Sequence, residues 1–377
     1  MQSEFNGIFS GLTILITGHT GFKGSWLALW LQKMGAKIVG FSLDPPTTPS
    51  HFALAGMEQK MTHIIGDIRD FNLLKETLLK HEPQVLFHLA AQPIVLHSFS
   101  QPKETFDINA GGTVNVLEAC RYCPSLKALI MVTTDKCYEN QEWHWGYREK
   151  DPLGGKDPYS ASKSMAELAI ASYRQSFFNS SGQPLVASAR AGNVVGGGDF
   201  SEFRLLPDCL KALLKKEPIQ VRNPSSVRPW LSVLDALSGY LWLASSLLQK
   251  GSAFAEAWNF GPLEYQAITS QTLVEKTIEL WGDGEWYNPS LQPAYQEMGL
   301  LRLNWDKAVN QLKWKPVYNW EEAVRQTVDW FKAFESSLHR PKTIDFYEIG
   351  LAHIQDYVEK ARRENLIWTA SEELVHN

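Results

Sequence analysis

The sequence predicts an α/β protein: an open, doubly wound parallel sheet, with a smaller mixed α/β domain beside it. Three observations carry this. Short apolar, β-rich runs alternate with segments of helical periodicity as far as Arg190, the pattern of parallel strands joined by crossover helices. The first of these strands runs directly into a glycine-rich turn and a helix. From Gly196 the alternation gives way to short strands and helices rich in tryptophan and arginine.

Bulk properties set the frame. At 377 residues the chain is long enough for two domains, taking about 150 residues for each. Its 44% hydrophobic and 20% charged residues are ordinary for a globular protein. With 36 basic and 41 acidic residues the net charge is −5, which gives no global reason to expect nucleic acid or an anionic membrane as partner. No apolar run approaches the roughly 20 residues of a membrane span. Residues 1–6 lack the basic and apolar regions of a signal peptide. Four cysteines argue for a reducing compartment, so a cytoplasmic protein is expected. Cys120 and Cys123 have C-x-x-C spacing, but no second pair completes a zinc site. They read as core or boundary cysteines, and no metal site is expected.

Residues 12–16 (Leu-Thr-Ile-Leu-Ile) form the first strand, and Gly18-His19-Thr20-Gly21-Phe22-Lys23-Gly24 follows at once. A helix over 25–34 stops at Gly35, and a second strand over 37–43 ends in Asp44. A pyrophosphate approaches such a turn closely only where side chains are absent. It then sits on the free N–H groups and positive dipole of the helix start. Asp44, 20 residues past Gly24, is placed to accept hydrogen bonds from adenosine ribose hydroxyls. An acid there disfavours a 2′-phosphate, so NAD is expected over NADP. The alternative for Asp44 is a turn residue before Pro45-Pro46. This unit makes the sheet Rossmann-type.

The next strand, 62–66, ends in Asp67, within reach of an adenine amino group. Asp70 caps a helix over 71–80. The strand over 84–89 ends in Ala90-Ala91-Gln92, small residues that let backbone approach a cofactor. A helix through Asn109 and Leu117 leads to the strand over 128–132. A further strand over 184–190 ends at Asn193. Helices are expected over 203–216 and 235–248, a short strand over 219–222, and a strand at 258–261 that rejoins the main sheet. Ser270 begins another helix, and Asn319-Trp320-Glu321-Glu322 has capping-box spacing for a helix to about Phe334. The expected domains are 1–195, rejoined by about 229–263, for the dinucleotide. Residues 196–228 and 264–339 form the second domain, and 340–377 a helical or partly ordered tail.

The candidate chemistry lies between Lys127 and Lys163. The strand over 128–132 ends in Thr133-Thr134-Asp135-Lys136, at the carboxyl end where open sheets bind ligands. Asp157 and Pro158 suit the cap and first position of a helix, and Tyr159 and Lys163 then share one face. A lysine ammonium near a tyrosine favours the phenolate and lowers its pKa. The plainer alternative is a half-buried aromatic and a solvated charge.

The set G-H-T-G-F-K-G at 18–24, H-L-A-A-Q at 88–92, N-x-x-G-T at 109–113, Y-S-A-S-K at 159–163 and R-x-W-x-x-V-x-D at 228–235 resembles extended short-chain dehydrogenases/reductases acting on nucleotide sugars. Epimerases of that group have small hydroxyl residues after the fifth strand. Thr134-Asp135-Lys136 instead resembles the hexose 4,6-dehydratases. With R-L-L-P-D at 204–208, it looks like those taking CDP-glucose. A dehydratase for another nucleotide-glucose, or a 4-epimerase, is the alternative. The resemblance implies NAD as a retained cofactor, held by the glycine turn with Asp44, Asp67, Ile68, Leu89, Ala90, Ala91, Asn109, Thr133, Tyr159 and Lys163. It implies that Tyr159 takes the C4 hydroxyl proton with Thr134 and Lys163 assisting. Asp135 would be the acid for the C6 hydroxyl, and Lys136 the C5 base or a cation stabilising the enolate. Gln92, Asn193, Arg204 and Arg228 are the candidate substrate contacts, the arginines for the diphosphate. His88, His97 and His144 read as structural. A homodimer or homotetramer is implied, with Leu168, Ile170 and Phe177 suited to its interface or to the core.

Overall fold

The computed structural model describes residues 4–263, 268–289, 300–340 and 343–370. Seven strands form one sheet: β1 Thr13–Thr17, β2 Lys37–Ser42, β3 Thr62–Ile65, β4 Val85–His88, β5 Ala128–Val132, β6 Leu185–Ala191 and β7 Ala257–Phe260. They lie in the order β3-β2-β1-β4-β5-β6-β7, and every pair is parallel. The order reverses between β1 and β4, which opens a crevice beyond their carboxyl ends. The strands are apolar rather than alternating because both faces are covered. Ile14, Ile16 and Ile130 enter one buried cluster, while Leu15, Leu129 and Met131 enter another on the opposite face.

The covering helices are α1 Phe22–Lys33, α2 Phe71–His81, α3 Gly112–Cys120, α4 Pro158–Ser176, α5 Leu205–Lys215, α6 Val233–Lys250, α7 Ser270–Trp281, α8 Trp320–His339 and α9 Phe346–Arg363. Asp70 caps α2 by accepting from Leu73 N (3.0 Å), and Asp157 caps α4 by accepting from Ser160 N (2.9 Å). Asn319 and Glu322 exchange both bonds of a capping box at α8, which runs past Phe334 to His339. The helix expected through Asn109 is present and continuous from 102 to 120, with a π-helical stretch at its centre. Pro102–Phe106 leads into a π-helical turn, Asp107–Gly111, before α3.

Beyond β6, Asn193–Val195 pairs with Trp230–Ser232, and Ile219–Gln220 pairs with Trp286–Tyr287. The expected boundary at 264 and the end of the chain from 371 lie outside the described residues. Cys120, Cys123, Cys137 and Cys209 are all buried and free. Among the described residues no cluster of metal-binding side chains occurs, and no helix is long and apolar enough to cross a membrane.

Within the expected tail, Phe346–Arg363 is helical and packs into the core. Along α9, Ile354, Tyr357 and Val358 are buried, and Gly350 packs so close to α1 that a Cβ there would lie 2.5 Å from Leu29 Cδ2. Trp368 is buried and stacks on Phe5 at 5.0 Å. Aromatic residues spaced along 346–368 carry this packing. Tyr357 also donates to Asp235 Oδ1 (2.7 Å), which accepts from Val317 N (2.6 Å) as well. Burial pushes the Asp235 carboxyl up to about 7, against the pull of these donors.

The folded chain therefore holds a proton on Asp235 at pH values where the unfolded chain has released it. That stabilisation is complete below about pH 4 and is lost as pH rises through 7. The melting temperature of the Asp235→Asn protein should accordingly depend less on pH between 5 and 8 than that of the parent. Parallel curves over that range in differential scanning calorimetry would refute the assignment.

Candidate active site

The glycine turn closes on itself and on β4. Gly18 has φ of +77°, and a Cβ there would lie 2.6 Å from Ala90 N. A Cβ on Gly24 would lie 2.1 Å from Gly18 O. Any larger residue would push the turn off the sheet and fill the space a phosphate needs. Gly21 precedes α1 without a side-chain cap, so the N–H groups of the first turn remain available. Thr20 bonds Ser42 Oγ (2.8 Å) and donates to Leu43 O (2.9 Å), tying the turn to the end of β2, beyond which Asp44 is exposed. Leu89 N donates to Thr17 O (3.0 Å). These residues fit a dinucleotide: a cradle that any Cβ would fill, a helix start, and an acid at the lip.

Three candidates, Asp67, Asn109 and Gln92, have their polar groups engaged by the protein. Asp67 accepts from Arg69 through both oxygens (Nε to Oδ1 at 3.1 Å, Nη2 to Oδ2 at 2.6 Å), and this partner holds its carboxyl below the usual range. Ile68 is buried under Gly112. Asn109 accepts from Gln92 N (2.9 Å) and donates to Gln92 O (3.0 Å) and Ser162 Oγ (3.0 Å). Gln92 donates to Thr105 Oγ1 (2.9 Å) and accepts from Ile94 N (2.5 Å). Both ends of the Gln92 amide hold the loop after β4. Asn109 is likewise a clamp between that loop and α4. Two histidines are structural. His88 sits between Thr17 (2.7 Å) and Thr113 (3.3 Å), buried and pushed down to about 3, and His97 pairs with Glu104 on the surface.

Beyond β5 the chain turns through a short 3-10 turn, Asp135–Cys137. Ser164 of α4 donates to Cys137 O (2.8 Å) and pins this turn against the helix carrying Tyr159 and Lys163. The Thr134 hydroxyl donates to Asp135 Oδ1 (2.9 Å) and is also a hydrogen-bond partner of Tyr159. The Lys136 ammonium lies 6.0 Å from the centre of the Tyr159 ring. Asp135 packs on Gly192, where a Cβ would meet Oδ2 at 3.0 Å. Thr134, Asp135, Lys136 and Tyr159 therefore meet at the carboxyl end of β5, with Lys163 one turn further along α4 on the face of Tyr159.

The electrostatics differ from expectation at one point. Burial pushes the Tyr159 phenol up to about 12, outweighing the Thr134 hydrogen bond and the nearby Arg204 that act the other way. Lys163 does not dominate Tyr159; it is itself buried and pushed down to about 8, while the Glu167 carboxylate pulls it back up. Asp135 is raised by burial, against the charge of Lys136, the Thr134 bond and Arg228, which suits a carboxyl that must donate a proton. Lys23, at the start of α1, is pushed down to about 7 by burial, Arg204 and Lys163, and up by Asp135 and Asp199. Arg204 donates to Asp199 Oδ2 (2.9 Å), and Asn193 begins the short strand paired to Trp230. Arg204 and Arg228 thus both lie in the field of the catalytic candidates, where two guanidinium groups suit a diphosphate.

Sequence reasoning missed the layer below. Glu167 accepts from Thr133 Oγ1 (2.5 Å), Ser188 Oγ (2.9 Å) and Arg190 Nη2 (2.6 Å). Arg190 also donates to the Tyr138 hydroxyl (2.7 Å). An arginine inside an otherwise apolar strand was the available signal.

Comparison with known proteins follows this geometry. A model of the family described as GDP-mannose 4,6 dehydratase matches residues 15–327. The chain belongs to that family. Among curated relatives, this family member is 44% identical over 330 residues to a CDP-glucose 4,6-dehydratase of Salmonella typhimurium, covering 86% of the chain and 92% of that protein. Its structure is similar to a dTDP-glucose 4,6-dehydratase from Bacillus anthracis in complex with NAD, with a TM-score of 0.71 and 25% identity over 86% of this chain and 98% of that one. It is equally similar in fold to a UDP-glucose 4-epimerase from Thermotoga maritima, with a TM-score of 0.72 and 21% identity over 86% and 99%. The fold is thus shared by dehydratases and epimerases. What separates them in the family member must be sought in the residues after β5.

Proposed function

We propose that the protein is a hydro-lyase that converts CDP-glucose to CDP-4-dehydro-6-deoxyglucose with NAD as a retained cofactor, in deoxysugar biosynthesis in the cytoplasm. The observation that carries this reading is the packing of Thr134, Asp135 and Lys136 against Tyr159. An acid and a second cation stand where a 4-epimerase needs neither. The identity to the Salmonella typhimurium enzyme supports CDP as the nucleotide.

The glycine turn, the start of α1 and Asp44 would hold the dinucleotide, with Lys163 beside its nicotinamide ribose. When bound, it supplies the hydride acceptor for C4 and the hydride donor for C6. Tyr159 takes the C4 hydroxyl proton, and Thr134 holds that hydroxyl. The C4 ketone acidifies C5, whose proton passes to Lys136. Asp135 protonates the C6 hydroxyl as the C–O bond breaks and water leaves. The proton on Lys136 returns to C5 as C6 is reduced, and the one taken by Tyr159 passes through the Thr134 hydroxyl to Asp135, so that the sugar loses one water and the side chains end as they began. Arg204, Arg228 and Asn193 hold the diphosphate in the domain of residues 196–228 and 264–339. The first test is mass spectrometry of the protein incubated with NAD and CDP-, dTDP- or UDP-glucose. Loss of one water from the CDP sugar supports the proposal, and C4 inversion without water loss overturns it.

The same reading includes a homodimer formed through α3 and α4. Leu168 is 60% exposed, and Met165 and Phe177 are exposed beside it, whereas Ile170 belongs to the core. An apolar patch on two neighbouring helices suits a matching copy. Leu168→Glu is expected to halve the mass measured by light scattering; a parent already monomeric would end the proposal.

A further inference from the structure

The ion pair between Glu167 and Arg190 lies beneath the catalytic groups, with both side chains almost fully buried (2% and 3% exposed). Its connections reach both segments that carry the candidate catalytic residues, the end of β5 with its turn and α4. Thr133, bonded to Glu167, stands directly before Thr134 at the end of β5. Glu167 is one turn beyond Lys163 on α4, so the two side chains share a face. Ser188 and Arg190 come from β6. Arg190 reaches Tyr138, immediately after the catalytic turn, and the Tyr138 hydroxyl donates to Asn259 Oδ1 on β7 (2.8 Å). Asn259 Nδ2 in turn donates to Asn304 O (2.9 Å).

With three donors the Glu167 carboxylate is held ionised, and Arg190 acts in the same direction. The groups acting on Lys163 from neighbouring elements are few. They are Glu167 on its own helix, Cys137 of the catalytic turn, His88 of β4 and Lys23 of α1. Glu167 is the carboxylate among them, and it faces Cys137, Arg174 and Arg190 as well as Lys163.

We infer that Glu167 is a positioning residue for the reaction: locked by Arg190, it joins the end of β5 to α4 and holds its carboxylate one turn beyond Lys163. This rests on the dehydratase reading above, in which Lys163 acts as a cation. A lysine deprived of its carboxylate partner releases its proton at lower pH, so the sign of the effect is fixed.

The test uses protein labelled with [13C]lysine, in which the Lys163 Cε signal, assigned by its loss in Lys163→Arg, is titrated by NMR. In Glu167→Gln the Lys163 midpoint should fall by about one pH unit. The alkaline limb of kcat should move down by the same amount, with the sugar-nucleotide KM changed less than about threefold. Should that variant fold poorly, Glu167→Gln/Arg190→Met removes both charges and leaves no buried ion unpaired. The same downward shift is expected there, because the carboxylate and not the pair's packing acts on Lys163. A Lys163 midpoint equal to the parent's in a folded variant would overturn the inference. Absence of water loss in the parent would instead overturn the dehydratase reading while leaving the NMR result standing.

Discussion

Asp135→Asn is expected to separate oxidation from dehydration. Asparagine keeps the shape of the side chain and can still accept from Thr134, so the turn pinned by Ser164 should persist. It has no proton to give a departing hydroxyl. General acid catalysis contributes roughly 10²–10⁴ in rate, and the water-loss step should fall by that amount. Oxidation at C4 depends on Tyr159 and Thr134 and should survive within about tenfold. Stopped-flow absorbance of the reduced nicotinamide, run beside rapid-quench mass spectrometry of the sugar, reads the two steps separately. Water loss at the parent rate would remove Asp135 from the role of acid. In the parent, the acid form of Asp135 is favoured by burial, so dehydration should slow as pH rises through its elevated pKa.

Tyr159→Phe should instead abolish the first step. The ring is held by its helix and lies nearly buried, so phenylalanine should pack in the same place. What is removed is the hydroxyl that meets Thr134 and receives the C4 proton. A loss of roughly 10²–10⁴ in kcat is expected, with no burst of reduced nicotinamide and little change in KM. The phenol of the protein alone is raised to about 12, so a cationic nicotinamide and Lys163 must favour the phenolate if Tyr159 is to act near neutral pH. A variant retaining a normal burst would show that another group takes the proton.

Much of this architecture was legible beforehand. Most strands of the sheet are short, largely apolar runs, and α2, α4 and α8 each begin at an Asp or Asn cap just before a periodic segment, so local signals sufficed there. The catalytic set was legible because Tyr159 and Lys163 share a helix face and Asp135 ends a strand. The layer beneath was not. Whether Gln92 faces a ligand or bonds Thr105 depends on the path of a loop, which periodicity does not encode. Arg190 announces a buried charge, but its partner, Glu167, lies 23 residues earlier on another element. The pKa of Tyr159 turns on depth of burial, and a neighbouring lysine in the sequence says nothing of depth.

The docking of α9 also bears on how the chain is made. The helix that begins at the glycine turn leaves the ribosome long before α9 does, so Leu29 and Trp30 find Gly350, Tyr357 and Trp368 only after about 300 further residues have been made. Until then the face of α1 turned away from the sheet stays open to solvent, and the carboxylate of Asp235 lacks one of its donors. The nucleotide-binding half of the protein is therefore begun well before its packing partners in α9 are made, and during translation its half-covered helix keeps apolar surface exposed.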